Sequence, residues 1–239
     1  RYDGKVCRDM INIAHVHLEN SLILDPAHPM ILIEENAHEF RTTVETLRNQ
    51  LSGEEGDFAF SEGGKLIKAA ERGIMITDIF GLEFSDRKLT SAIGKAAERN
   101  FEEGEQLPLL NAINSEVREF IERVTYEFPF AVEFDDLTVS DIFKAAGLRA
   151  AEHYGNFLEK LICYTSLISG LRPCSFIVFV NLRSVLSDEE LHAFYEHMCG
   201  EKIALLLIES YKVRPLLSEE RAVIITDDLC ELVEYHNDP

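Results

Sequence analysis

Apolar positions recur along the chain with two periods, and their succession sets out the elements. Ile11 to Leu18 (INIAHVHL) places Ile11, Ile13 and Val16 among polar residues, which predicts a strand solvated on one side. Met30 to Ile33 predicts a second, more buried strand. From Ala37 the apolar residues Phe40, Val44, Leu47 and Leu51 fall at helical spacing, and Ser52-Gly53 closes that helix. Phe58 to Phe60 reads as a short edge strand. Gly73 to Phe84 (GIMITDIFGLEF) predicts a buried strand ending in Asp78, followed by a turn at Gly81.

Two long helical stripes follow. Leu89, Ile93, Ala96, Ala97 and Phe101 form the first. Leu107, Leu110, Ile113, Val117, Phe120, Ile121, Val124 and Phe128 form the second, which Pro129 stops. A shorter helix opens on the capping box Thr138-x-x-Asp141 and runs to Gly147. Strand and helix then alternate again. Asn156 caps a helix with Phe157, Leu161, Tyr164 and Ile168 on its inner face; Ser175 to Asn181 is an apolar strand; Ser187 to Glu190 is a second capping box; and Ile203 to Glu209 and Ala222 to Asp227 are the last strands.

Apolar strands separated by helices predict an α/β fold with a mainly parallel sheet covered on both faces. The expected organisation is an α/β core domain from residues 10–82 and 148–239, with an inserted α-helical domain at residues 83–147. Residues 1–9 carry no periodicity and are expected to derive from an expression vector. No apolar run approaches the length that crosses a membrane, and the first residues have no signal-peptide pattern.

Five cysteines (Cys7, Cys163, Cys174, Cys199, Cys230) make no CxxC pair, which predicts free thiols in a reducing cytoplasm. The net charge of −20 argues against a polyanionic partner, because DNA affinity rests on Lys and Arg displacing counterions. A local basic surface can nevertheless focus a field that the whole-chain sum conceals.

Motifs for phosphate chemistry are broken. Gly63-Gly64-Lys65 invites a P-loop reading, but Ala59 stands for the first glycine and Leu66 for the hydroxyl that holds magnesium, so a turn is expected there. SFIVFV ends in the neutral Asn181, where phosphoryl-transfer enzymes place a metal-binding acid. Asp78, Glu209 and Asp227 end strands, where α/β ligands bind, but single acids at such ends read equally as solvated loops. His15 and His17 share a strand face at metal-compatible spacing without a third ligand, and His192 and Glu196 read as an exposed helical pair. No nucleophile elbow is found. The densest hard-ligand group is Glu133, Asp135 and Asp136 with Asp141, which suits calcium but also suits solvation and capping. Basic residues gather at Lys65, Lys68 and Arg72, and along one helix at Arg87, Lys88, Lys95 and Arg99; such groups grip phosphates without reading bases, and also serve as plain surface counter-charges.

Taken in order, GIMITDIFGLEF, the long helices, VEFDDLTVSDIFKAAGL, SFIVFVN, the Ser-Asp-Glu-Glu helix and ALLLIE resemble the small CRISPR-associated accessory protein family that defines type II-A systems. The resemblance runs from about Ile11 to Ile225, and its specificity lies in the order of the segments. It implies a core like a degenerate P-loop NTPase fold and a homotetrameric ring that holds double-stranded DNA ends. It implies service in spacer acquisition beside other CRISPR adaptation proteins, an integrase complex and a guide-directed nuclease, without catalysis. By the same resemblance a calcium-holding (Ca2+) loop falls on Glu133, Asp135, Asp136 and Asp141, and channel-lining basic residues fall on Lys65, Lys68 and Arg72. A ring with an acidic exterior and a basic channel reconciles DNA binding with the negative net charge. The competing readings are a nucleotide-dependent P-loop-like enzyme and an acidic protein–protein scaffold.

Overall fold

The computed structural model describes residues 10–104 and 106–235, without the side chain of Tyr235. Residues 1–9, with Cys7, lie outside the described residues. The fold is α/β with two sheets, and the chain divides into two compact units: one built from the residues through Leu82 and from Tyr154 onward, the other from Glu83–His153.

The first unit opens with strands β1 (Ile11–Ala14), β2 (Leu22–Leu24) and β3 (Met30–Glu34), helix α1 (Ala37–Leu51), strands β4 (Ala59–Glu62) and β5 (Lys65–Leu66), the short helix α2 (Ala69–Arg72) and strand β6 (Gly73–Ile76). The second unit holds α3 (Arg87–Glu103), α4 (Leu107–Thr125) and α5 (Val139–Ala146). The first unit then resumes with α6 (Phe157–Leu171), β7 (Phe176–Val180), α7 (Asp188–Gly200), β8 (Ala204–Glu209), β9 (Arg221–Ile225) and β10 (Glu231–Tyr235).

The main sheet has the order β10-β9-β3-β8-β7-β6. Its pairs from β9 to β6 are parallel, and β10 closes the edge antiparallel to β9, so the sheet is mixed. Its central parallel strands read as apolar runs because both faces are covered. One face, with Ile31, Ile33, Ile177, Phe179, Leu205 and Leu207, packs in a core that includes Leu161 of α6 and Phe194 and Met198 of α7. The other, with Met30, Leu32, Phe176, Val178, Leu206 and Ile208, packs with Leu47 of α1 and with Ile11, Ile13, Leu22 and Phe60. Alternate residues of one strand thus serve opposite cores, as the two-residue period of a strand requires.

Ile11, Ile13 and Phe60 belong to a four-stranded antiparallel sheet of order β2-β1-β4-β5, separate from the main sheet. β1 therefore does not join β3, and the strand expected from Phe58 is an interior strand of this small sheet. Gly63 and Gly64, at φ +56° and +78°, form the turn of its β4–β5 hairpin, a conformation that favours glycine. A phosphate loop instead joins a strand to a helix, so the turn reading of Gly63-Gly64-Lys65 is the correct one.

Local signals are realised closely. Asn36 caps α1 by accepting from the backbone N–H of His38 and Glu39. The Thr138/Asp141 and Ser187/Glu190 capping boxes both form, and Gly147 ends α5 in the left-handed region at φ +63°. No described helix is long and apolar enough to cross a membrane.

Candidate functional site

The basic cluster of the first unit lies on the β4–β5 hairpin and α2. Lys65 and Lys68 are exposed and Arg72 is half-buried. Lys68 Nζ lies 3.8 Å from Glu71, and Arg72 Nη2 donates to Glu62 at 3.3 Å. Arg172, at the end of α6, joins the same edge: its guanidinium donates to the carbonyls of Ala70 at 2.9 Å and Gly73 at 2.6 Å. It fixes the α2–β6 junction, a role without a local sequence signal, since its partners lie about a hundred residues away.

A second basic surface lies wholly in the helical unit. A groove of about 970 Å³ runs between α3 and α5, lined by the exposed Arg87 and Lys95 of α3 and by Lys144 and Arg149 at the end of α5. One acid, Glu98, shares it, together with Thr90, Ser91 and Ser140. Four cations and one acid thus line the groove, with Lys144 also 3.8 Å from the Asp141 carboxylate beside it. Arg87 and Lys95 were legible as a helical stripe; Lys144 and Arg149 come from an element some fifty residues on, which only the α3–α5 packing brings near.

The acidic loop is also confined to the helical unit. Glu133 and Asp135 line a pocket of about 600 Å³ with Glu122 and Arg118. Asp136 points to another partner, accepting from Arg118 Nη2 at 2.6 Å, while the same guanidinium lies 5.2 Å from the Phe134 ring centroid. Asn114 donates to the Leu137 carbonyl at 3.0 Å and accepts from the Leu137 N–H at 2.8 Å. Asp141 is occupied as the cap of α5: its carboxylate accepts from Thr138 Oγ1 at 2.6 Å and from the Thr138 N–H at 3.1 Å, and Lys144 lies 3.8 Å away. The Thr138 hydrogen bonds hold the Asp141 carboxyl below its usual range.

Calcium takes six or more oxygens in a flexible shell. The loop offers the right donor chemistry, but Asp136 and Asp141 face other partners, and among the described residues no group of three or more His, Cys, Asp or Glu side chains is spaced to hold a metal ion. The four carboxylates are not gathered at one point: Asp136 meets Arg118, Asp141 meets Thr138, and the loop is held by Arg118 and Asn114 of α4.

The remaining candidates have local explanations. Asp78 follows β6 and accepts from the N–H of Phe80 and Gly81, so it forms the turn that was expected at Gly81. Glu209 ends β8 but is 1% exposed and accepts from the Arg183 N–H at 2.9 Å, which overturns its reading as a solvated loop acid. Burial pushes its carboxyl up to about 7. His15 and His17 lie beyond the end of β1 rather than on its face, and contact each other edge-on at 5.0 Å between ring centroids. His192 lies 3.5 Å from Glu196 and is bound more closely, at 2.8 Å, by Glu219, which holds its imidazole above its usual range. Cys163, Cys174, Cys199 and Cys230 are free thiols.

These features define a class: an α/β protein that carries a helical unit within its chain, with cationic surfaces in both units and an acid-rich loop held by side chains of the helical unit. The chain belongs to the family of CRISPR-associated proteins described as Cas_Csn2, whose model matches residues 50–229. It is similar to the CRISPR-associated protein Csn2 of Streptococcus agalactiae, with 23% identity over 87% of this chain and 92% of that protein. It is also similar to the CRISPR-associated protein Csn2 of Enterococcus faecalis, with 20% identity over 63% of this chain and 72% of the relative.

Proposed function

We propose that the chain is a non-catalytic, sequence-independent binder of double-stranded DNA ends that acts in CRISPR spacer acquisition as a cytoplasmic homotetrameric ring, beside an integrase complex and a guide-directed nuclease. The observation that carries the DNA reading is the groove between α3 and α5, where Arg87, Lys95, Lys144 and Arg149 surround a single acid. Lys and Arg at that density suit phosphates and carry no base-reading geometry. Lys65, Lys68 and Arg72 supply a second contact, with two of the three loosely paired to Glu71 and Glu62. The assembly reading is supported by α4, which has no fully buried residue and exposes Leu107, Leu109, Phe120 and Val124.

A degenerate P-loop ancestry agrees with the parallel run β9-β3-β8-β7-β6. The connection from the central strand β3 to α1 is only Glu35 and Asn36, without a glycine or lysine to cradle phosphate, which disfavours the nucleotide-dependent enzyme. Calcium on Glu133, Asp135, Asp136 and Asp141 enters this reading as a ligand that competes with Arg118 for Asp136.

The test is a gel shift with linear and covalently closed circular DNA, in calcium and in chelator. Retention of linear DNA, weakened by joint replacement of Lys65, Lys68 and Arg72 with Glu, is expected. No DNA binding in either buffer leaves the protein-scaffold reading, and tight binding of ATP with magnesium favours the enzyme.

A further inference from the structure

The carboxyl ends of β3 and β9 lie side by side, with Glu34 and Ile225 as register partners, and a cavity of about 200 Å³ opens there. Ligands of parallel sheets collect at such ends. The apolar walls are Leu32, Phe58 and Ile225, each at most 5% exposed. Glu34, also lining the cavity, is only 6% exposed. Its Oε1 accepts from Thr43 Oγ1 at 2.8 Å, but its Oε2 is buried without a hydrogen-bond partner. A buried carboxylate oxygen left unpaired carries a desolvation cost that a bound cation removes.

The remaining polar groups refine the ligand class. Glu39 also lines the cavity and is less buried, with Oε2 3.3 Å from His17 Nδ1 and Oε1 3.3 Å from His38 Nδ1. His15 stacks on Phe58 at 4.2 Å, and burial, with His17 nearby, keeps its pKa low, so it adds little positive charge. Among the described residues no Lys or Arg lines the cavity. Two carboxylates and apolar walls select a cation with an apolar stem. A metal ion is disfavoured, since no triad of ligating side chains is spaced for one among the described residues. A guanidinium prefers a two-oxygen fork, whereas Glu34 has one oxygen free, which suits the point charge of an ammonium. The volume is below that of a drug-sized site, matching a single side-chain-sized ligand.

We propose that this cavity binds a primary alkylammonium group on a methylene stem, with the Glu34 carboxylate turning to present its buried, unpaired Oε2 and Glu39 as a second anionic partner. The group arrives either as a free aliphatic diamine or as a lysine side chain of a partner. The site is independent of the DNA reading.

Isothermal calorimetry on the intact protein at pH 8, where the Glu34 carboxyl raised to about 7 is mostly ionised, tests this with two probes, cadaverine and N-acetyl-lysine methylamide. Saturable one-to-one binding of at least one is expected, weakened about tenfold or more in Glu34→Gln, with n-pentanol as a neutral control that does not bind. Cadaverine alone binding points to a free amine, and the lysine amide binding points to a partner's side chain; both support the site. Lack of saturable binding by either probe overturns it. So does equal binding in Glu34→Gln, since general attraction to a chain of net charge −20 survives that change. If Glu34→Gln does not fold, Glu39→Gln decides: weaker binding of the amine supports the site, and unchanged binding overturns it.

Discussion

The Arg183 guanidinium and the Glu220 carboxylate, neither with any exposed side-chain surface, form a two-pronged ion pair at 3.0 and 3.1 Å. Both partners are bound further: Arg183 Nη2 also donates to the Pro215 carbonyl at 2.8 Å, and Glu220 accepts from Tyr195 Oη at 2.8 Å and from the Leu217 N–H at 2.7 Å. The pair ties the turn after β7 to the segment entering β9. Removing one partner strands the other charge, so Glu220→Leu should cost about 3–5 kcal/mol in urea unfolding. A loss under about 1 kcal/mol would show the pair open in solution.

Stability should fall as pH rises across the window set by two buried acids. Burial pushes both Glu34 and Glu209 from 4.5 up to about 7. The folded state therefore holds protons that the unfolded state releases between those values. Their contribution is complete below about 4.5 and is lost as pH climbs through about 7. For Glu34 alone this amounts to on the order of 3 kcal/mol. Glu34→Gln should flatten the difference, measured by unfolding at a series of pH values; parallel curves for the two proteins would mean that Glu34 titrates normally.

The α3–α5 groove predicts a changed salt slope. Replacing Lys95 and Lys144 with Gln should weaken linear DNA binding and reduce the slope of log K against log salt by about 0.9 for each phosphate no longer neutralised. A weaker affinity at unchanged slope would assign those lysines to folding instead.

Calcium at Asp136 competes with Arg118, which holds one of its two carboxylate oxygens. Thermal melting of the wild type should rise with calcium, by the usual linkage of ligand to folded state. Asp135 and Asp136 changed together to Asn should abolish the rise, and Arg118→Ala should shift it to lower calcium. Magnesium should substitute poorly, because it demands a tighter octahedron. An identical calcium response in the double variant places the metal elsewhere.

Phe120 and Val124 lie one turn apart on α4 and are both more than half exposed. Light scattering should give the mass of four chains, and Phe120→Glu with Val124→Glu should lower it. A monomer mass for the wild type at micromolar concentration assigns that stripe another role.

Helices and their ends were the most legible parts of the chain. α1, α5 and α7 are bounded by Asn36, Thr138 and Ser187, whose capping contacts span at most three residues and so depend on little beyond local sequence. Most parallel strands were legible as strands but not in their pairing, and β2 and β5 of the small sheet were not read as strands. INIA has the alternation of a half-buried strand wherever it is placed, and only backbone partners about fifty residues away assign β1 to the small antiparallel sheet. β10 carries no comparable signal, because ELVEY is short, edge-placed and half polar.

The same division governs the chemistry. The amino-acid sequence by itself determined which carboxylates and cations exist, that Gly63-Gly64-Lys65 lacks a working phosphate loop, and that Asp141 caps a helix, since each follows from residues close together in the chain. Tertiary structure alone decided that Asp136 meets Arg118, that Glu209 is buried against the Arg183 backbone, that Lys144 and Arg149 line a groove with Arg87 and Lys95, and that Glu34 keeps an unpaired oxygen beside a cavity. The reason is physical: what a charged side chain does depends on burial and on the nearest opposite charge, and both are set by chain segments far apart in sequence.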